Sequence, residues 1–301
     1  MKWSKRGLIL KPDTTLWWMK AGYMAVPTAE MIDGDVCRLY FCGRDDQNRS
    51  QIGYAEINLN EPSKVLALSR EPVLKSGELG AFDDSGVTPT HVESVVGKKY
   101  LFYVGWGRSG TVRMSLFTGL ALSEDGGKTF QRHSRAPILE RDAVDPFLTA
   151  TLSLLREESV WRLWYVSGEK WEQRGAETYP YYNIKYAESR DGIHWMRTGR
   201  VCIKLANNEH ALARPCVLKE DGIYKMWYAY KGDDYRIGYA ESKNGLEWVR
   251  KDRDTGLELT PGGPDAKMME YPCLISHKGK KHLFYNGDEY GKHGICYAVE
   301  E

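Results

Sequence analysis

Five acidic residues have the chemistry and the spacing to act on a glycosidic bond. Asp83, Asp145 and Glu209 each lie six residues before an apolar segment, in three successive stretches of the chain. Asp84 stands beside the first of them, and Glu270 follows later in the sequence. Glycoside cleavage needs two carboxyl groups, one as a proton donor and one as a base or nucleophile. These five residues are the candidate catalytic groups, although acidic residues in loops also commonly cap turns.

The residues beside Glu270, Glu209 and Asp145 indicate different candidate roles for these three acids. Glu270 is flanked by Met269 and Tyr271, and burial among such residues would raise its pKa, as a general acid requires. Glu209 has His210 beside it, so it is either a salt-bridged structural group or a second acid. For Asp145, the following proline leaves open a purely local role in starting a turn.

Basic, aromatic and polar residues of the kind that hold sugars recur in the predicted loops and at the starts of predicted strands. Aromatic rings can cover sugar C–H surfaces, and the planar fork of arginine fits hydroxyl, carboxylate or phosphate groups. Each residue taken singly is as readily a solvated charge or a packing ring, but together they favour a carbohydrate cleft. The candidate substrate-binding residues are Arg214, Arg44, Asp45, Trp106, Arg108, Arg113, Trp171, Arg236, Tyr271 and Asn286.

A fivefold repeat predicts the elements that must position these residues. Its signature is a strand ending in an aromatic pair, and the copies are roughly 60 residues apart. An apolar segment precedes each copy and a second aromatic, β-branched segment follows it, both typical of strands. The five copies are Leu39–Gly43, Leu101–Gly105, Leu163–Ser167, Met226–Tyr230 and Leu283–Gly287.

Four-stranded repeats without helical periodicity predict an all-β fold, a five-bladed β-propeller in one domain spanning residues 1–301. Turns such as Ser123–Phe130, with Asp-Gly or Asn-Gly followed by an aromatic residue, introduce the fourth strand. The last repeat ends at Glu301 without one, whereas Trp3–Leu10 resembles the fourth-strand segment Trp195–Ile203. We therefore expect the N-terminal strand to pair into the last blade and close the ring.

Composition excludes several function classes. The 301 residues include 42 Lys plus Arg against 41 Asp plus Glu, so no charge field favours nucleic acid. No apolar run approaches the length of a membrane span, and no signal peptide is evident. The six cysteines are scattered without zinc-ligand spacing, which favours a reduced, cytoplasmic setting. We expect no cofactor and no catalytic metal; the oligomeric state stays open.

Several motifs resemble those of a known enzyme group. They are Ala213–Val217, Tyr224–Tyr228, Ile237–Ser242, Glu270–Pro272 and Phe284–Gly287. Together with the blade pattern, they are similar to a bacterial group of glycosidase-like propellers related to glycoside hydrolase families 43 and 32, and more distantly 130. The resemblance implies a buried axial trio of two Asp and one Glu, in Asp-Pro and Glu-x-Pro contexts. Asp145 and Glu270 stand in such contexts.

Two departures from that pattern keep the assignment of roles open. The segment Ala25–Pro27 lacks the Asp that those families carry in the first blade, and Glu270 falls in the fifth blade rather than the third. Besides a hydrolase, the sequence is compatible with a phosphate-dependent glycoside phosphorylase, or with a carbohydrate-binding propeller that has lost catalysis. The sialidase-like box at Ser123–Phe130 is a structural turn, and five blades do not favour a sialidase.

Overall fold

The computed structural model describes residues 1–206 and 208–301 and shows an all-β chain. The strands of this described part form three hydrogen-bonded sheets, one of four strands and two of eight. Each larger sheet consists of two four-stranded antiparallel halves joined by one parallel pair, Ser50 with Gly86 or Tyr182 with Ala211. The described residues thus form five four-stranded units.

The chain begins with a strand that belongs to the last unit, and two complete units follow it. Strand β1 spans Trp3–Leu10. Unit 1 comprises β2 (Ala25–Asp33), β3 (Val36–Arg44), β4 (Ser50–Asn58) and β5 (Glu61–Leu68). Unit 2 comprises β6 (Gly86–Val95), β7 (Lys98–Gly107), β8 (Ser115–Ser123) and β9 (Gln131–Arg132).

The remaining units repeat this order. Unit 3 comprises β10 (Thr149–Glu157), β11 (Val160–Arg174), β12 (Glu177–Ser189) and β13 (Met196–Ile203). Unit 4 comprises β14 (Ala211–Glu220), β15 (Ile223–Lys231), β16 (Tyr235–Ser242) and β17 (Val249–Arg250). Unit 5 comprises β18 (Glu270–His277), β19 (Lys280–Asn286) and β20 (Ile295–Glu300), with β1 alongside β20. Short 3₁₀ turns lie at Trp17–Met19, Asp252–Thr255 and Asp288–Gly291.

The predicted pairing of the N-terminal strand is confirmed. Strand β1 runs antiparallel to β20, with Trp3 opposite Glu300 and Leu10 opposite Ile295. The Trp3 side chain is buried, and its indole donates a hydrogen bond to the Thr255 carbonyl at 2.7 Å. The first and last parts of the chain are therefore held in one unit.

Aromatic side chains of the second strands tie neighbouring units together. The ring of Trp164 in unit 3 packs against Tyr224 of unit 4, with ring centroids 5.8 Å apart. Its indole N–H donates to the Gly245 carbonyl at 2.7 Å. Tyr40 of unit 1 likewise donates to the Gly127 carbonyl of unit 2 at 3.0 Å. The backbone carbonyls of the Asp-Gly and Asn-Gly turns therefore accept a hydrogen bond from an aromatic residue of the preceding unit.

The first strand of every unit is bulged and packs against its counterparts. The first strands start two to four residues upstream of Pro27, Pro89, Thr151, Pro215 and Pro272. Register shifts follow immediately, and Val26, Arg214 and Tyr271 adopt positive φ angles of 56°, 50° and 54° just before a proline. Such bulges re-aim side chains and are common beside functional sites. The strands lie against one another in the cyclic order β2, β6, β10, β14, β18 and back to β2.

Within residues 1–206 and 208–301, none of the helical segments has the length and hydropathy to cross a lipid bilayer. All six cysteines are buried free thiols.

Candidate active-site cavity

A cavity of about 510 Å³ lies where the first strands start and the loops between second and third strands meet. Five of the residues predicted to bind substrate line it. They are Arg44, Trp106, Arg108, Arg113 and Tyr271. Its volume falls within the range of small-molecule sites. The cavity is therefore the candidate site.

Tyrosines dominate one side of this cavity. The hydroxyls of Tyr182 and Tyr235 hydrogen-bond each other at 2.8 Å, which links unit 3 to unit 4. The rings of Tyr271 and Tyr290 lie close to Tyr235, with centroids 6.1 and 6.2 Å away. Tyr23, from the segment before β2, and Tyr179 of β12 also line the cavity. These rings present both apolar faces and hydroxyl groups, the combination that suits a sugar.

Glu270 is the one predicted acid whose carboxyl group is buried without partners. The side chain is fully buried, and neither carboxyl oxygen has a hydrogen-bond partner among the described residues. It starts β18, directly before the cavity residue Tyr271. Burial raises the pKa of Glu270 well above its usual range, and the neighbouring Tyr271 hydroxyl and then the charge of Lys231 offset this only in part. The environment of Glu270 thus favours its protonated form, adjacent to the tyrosines.

Asp83 and Asp145 lie inside their own units, where other side chains engage them. Asp83 accepts hydrogen bonds from the Tyr103 hydroxyl at 3.0 Å and from Arg132 Nε at 2.8 Å. Asp145 accepts from the Tyr165 hydroxyl at 2.8 Å and, as described below, from basic residues of its unit. Both carboxylates are fully buried, and neither lines the cavity.

The environment of Asp145 is the opposite of that of Glu270. Lys185 and Arg197 approach it at 3.0 and 2.9 Å, and Ser167 donates at 2.5 Å. Burial opposes ionisation of Asp145, but the hydrogen bond from Ser167 and the charge of Lys185 outweigh it, so the pKa is lowered. Asp145 is therefore a stable carboxylate rather than a proton donor.

The same arrangement recurs in two further units, at residues that the sequence pattern missed. Asp265 accepts from the Tyr285 hydroxyl at 2.9 Å and pairs with Lys5 of β1. In unit 4, Asp252 accepts from the Tyr228 hydroxyl at 2.6 Å. A spacing of 20 residues between Asp and Tyr, as in Asp265 and Tyr285, marks units 2, 3 and 5 and is visible in the sequence.

The other predicted acids also have local partners. Glu209 receives two hydrogen bonds from Arg250, at 2.7 and 2.8 Å, which fits the salt-bridged alternative. Asp84 accepts from the Gly80 N–H and from the Ser85 hydroxyl. Neither acid lines the cavity.

Arg214 binds backbone and hydroxyl groups of several first strands. From the bulge of β14, its guanidinium donates to the Pro27 carbonyl at 2.7 Å and to the Thr28 hydroxyl at 2.9 Å. It also donates to the Thr90 carbonyl, and its backbone N–H donates to the Thr151 hydroxyl at 2.8 Å. The side chain is buried and does not line the cavity. It thus ties together the strands around which the units are arranged.

The other four predicted binding residues lie outside the lining. Asp45 holds its own loop by accepting from the backbone N–H groups at positions 47 and 49. Asn286 bridges units 5 and 1 by accepting from the Val26 N–H at 2.8 Å. Arg236 donates to backbone carbonyls, and Trp171 packs against the apolar cluster beneath the long β11–β12 hairpin.

The comparisons with known proteins give full-length matches to mycobacterial proteins, a partial match to an enzyme, and solved structures that share the fold. No family model matches the sequence. The chain is 38% identical to the Uncharacterized protein MT1551 of Mycobacterium tuberculosis, over all of both chains. It is also 38% identical to a 1,2-beta-oligomannan phosphorylase of Thermoanaerobacter sp., over 101 residues that make up 32% of each chain.

Solved structures share the fold at low sequence identity. A glycoside hydrolase superposes with a TM-score of 0.76 at 17% identity, covering 99% of this chain and 91% of the other. A thermostable family-43 glycoside hydrolase gives a TM-score of 0.65 at 15% identity, covering 92% and 88%. The fold is therefore that of glycoside hydrolase-like β proteins.

Proposed function

Since the chain belongs to the same family as the mycobacterial protein MT1551 and shares its fold with glycoside hydrolases, we propose that it acts on glycosides, with Glu270 as the proton donor. The observation that carries the proposal is the fully buried carboxyl group of Glu270, which has no hydrogen-bond partner among the described residues and lies beside a tyrosine-lined cavity. A glycosidic oxygen needs a proton as its bond breaks, and an acid held neutral at working pH supplies one. The partner is accordingly a carbohydrate.

The finer architecture we propose is a five-bladed β-propeller in one domain, residues 1–301, with β1 closing the ring. The cyclic order of the first strands and the β1–β20 pairing support it. On this arrangement the cavity lies at one end of the central axis, and Arg214 fills the axis below it. The cytoplasmic location inferred from composition remains a prediction.

The protonated carboxyl group would act at the tyrosine side of the cavity. Glu270 is not itself a lining residue, so its proton reaches a glycosidic oxygen either after a small shift of Tyr271 or through a tyrosine hydroxyl. The hydroxyls of Tyr182 and Tyr235, which hydrogen-bond each other, lie on this side of the cavity. We assign Asp83, Asp145 and Glu209 to fold stability, because each is engaged by a basic residue of its own unit.

The test compares Glu270→Gln with Glu209→Gln on a panel of natural and activated glycosides. Gln keeps the shape of Glu but cannot donate the carboxyl proton, so we expect turnover to fall at least 100-fold in Glu270→Gln. Glu209→Gln should keep most of the wild-type turnover, measured per amount of folded protein. Full activity of Glu270→Gln on a substrate that the wild type cleaves would remove Glu270 from the reaction.

A phosphate-dependent reaction is the second candidate. Among the described residues that line the cavity, none is an aspartate or glutamate that could activate water. A phosphate nucleophile is already an anion and does not need that base, and the partial match to a 1,2-beta-oligomannan phosphorylase points the same way. Turnover that requires inorganic phosphate and releases a sugar phosphate identifies phosphorolysis. Turnover in phosphate-free buffer identifies hydrolysis, and tight sugar binding without turnover identifies the non-catalytic alternative.

A further inference from the structure

The wall of the cavity carries positive charge from three units. Arg44 ends β3 of unit 1, Arg108 and Arg113 lie between β7 and β8 of unit 2, and Lys231 ends β15 of unit 4. None of these four side chains forms an ion pair with an acidic residue in the described part of the chain. The cavity thus has an excess of cations that the protein itself does not neutralise.

Outside the cavity, two arginines of the same units have acidic partners, whereas Arg214 of unit 4 is satisfied by carbonyl and hydroxyl groups. Arg132 of unit 2 pairs with Asp83 at 2.8 Å, and Arg250 of unit 4 pairs with Glu209 at 2.7 Å. Even Glu289, next in sequence to the cavity residue Tyr290, is paired with Lys292 at 2.6 Å rather than with a cavity cation. The four cavity cations therefore differ from Arg132 and Arg250, whose charges are neutralised by neighbouring carboxylates.

Two of the cations are held in place by neutral groups. Lys231 donates to the Tyr290 hydroxyl at 2.8 Å. The guanidinium of Arg44 lies over the Tyr23 ring, 4.2 Å from its centroid, and donates to the Asn48 amide oxygen at 3.1 Å. Neutral partners orient a cation without cancelling its charge, which leaves it able to attract an anionic ligand.

Positive charge near the cavity also affects the pKa of His210. It lines the cavity, and its pKa is lowered by burial and then by the charges of Lys231 and Arg174. A histidine in this field stays neutral near pH 7, so it can accept or donate a hydrogen bond without adding charge.

We propose that the cavity binds an oxyanion, and that the oxyanion is an acidic substituent of the sugar substrate, such as the carboxylate of a uronic acid. The proposal rests on the proposed function only in taking the ligand to be a sugar. The cations come from units 1, 2 and 4 rather than from one loop, and tyrosines line the same cavity. Charge spread around a cavity with apolar ring faces fits an acidic saccharide better than a single small ion.

The experiment measures binding by calorimetry, with wild type and with Glu270→Gln so that turnover does not interfere. The probes are a glucuronic acid-containing disaccharide, its neutral glucose counterpart, and inorganic phosphate. We expect the acidic disaccharide to bind about tenfold more tightly than the neutral one at low salt, and the preference to shrink in 0.3 M NaCl. The double variant R108A/R113A should lose the preference, whereas Arg190→Ala, an exposed arginine outside the cavity, should keep it.

Equal affinity for the two disaccharides, or no binding of the acidic one at 10 mM, overturns the proposal. Binding of inorganic phosphate without any preference for the acidic sugar also overturns it, and assigns the cations to a phosphate co-substrate. These outcomes are separate from failure of the proposed function, because the proton-donor role of Glu270 is tested by turnover and the acidic preference by binding.

Discussion

The buried acid Glu270 should make the protein less stable as the pH rises from 5 to 7. Its carboxyl group is fully buried without partners, and its pKa lies well above the usual value of 4.5. The folded state therefore retains a proton that the unfolded chain releases above pH 4.5. The stability that this proton contributes is fully present when the pH is below the pKa of Glu270 in the unfolded chain. It declines as the pH rises toward the pKa of Glu270 in the folded protein.

The magnitude follows from the width of that window. Each pH unit between the unfolded and folded pKa changes the free energy of unfolding by about 1.4 kcal/mol. Between pH 5 and pH 7, wild type should therefore lose up to about 3 kcal/mol relative to Glu270→Gln, which has no proton to lose. The constant cost of burying the Gln amide cancels in this difference.

Urea unfolding at several pH values from 5 to 7 measures this difference directly. The free energy of Glu270→Gln should rise relative to wild type with increasing pH, and Glu209→Gln, whose native carboxylate pairs with Arg250, should not show that rise. If the wild-type and Glu270→Gln curves run parallel across this range, Glu270 is not held neutral in the folded protein, and the argument for a proton donor fails with it.

Two further substitutions test the carboxylate–tyrosine arrangement inside the units. Asp145→Asn leaves Lys185 and Arg197 without their buried counter-charge and should cost about 3 kcal/mol in urea unfolding at pH 7. The cost should shrink as the pH falls through the lowered pKa of Asp145, where wild type loses the same charge. Phe41→Tyr would place a hydroxyl beside the buried Trp18 and should cost about 1 to 3 kcal/mol, whereas an unchanged stability would show that an acceptor is within reach there.

The sequence predicted the strands well because their pattern is local. Aromatic and β-branched residues mark each second and third strand, and all five aromatic-pair segments lie in strands, including Leu163–Ser167 in β11. The N-terminal pairing also followed from the likeness of Trp3–Leu10 to Trp195–Ile203. Strand starts were less predictable, because the bulges that begin the first strands depend on packing against the neighbouring units.

The candidate site was less predictable because spacing alone does not reveal partners. Counting six residues before Pro89 and Thr151 selected Asp83 and Asp145, yet each is engaged by a tyrosine and a basic residue distant in sequence. The same count missed Asp265 by one residue, although its 20-residue spacing to Tyr285 matches the other two. The Tyr182–Tyr235 pair joins strands of different units, β12 and β16, and no sequence pattern indicates that these two residues meet.

Unit 1 shows why structural acids are better distinguished from a candidate proton donor by their hydrogen-bond partners than by their position in the sequence. In unit 1 the tyrosine of the second strand is replaced by Phe41, which has no hydroxyl to donate, and Trp18 packs on its ring with centroids 5.7 Å apart. An acidic residue there would be buried without a donor, which is costly. With Phe41 at this position, unit 1 cannot form the acid–tyrosine hydrogen bond that the equivalent tyrosine makes in units 2 to 5. Glu270 is the one predicted acid that keeps such a costly, partnerless position, and a cost of this kind is what a proton donor requires.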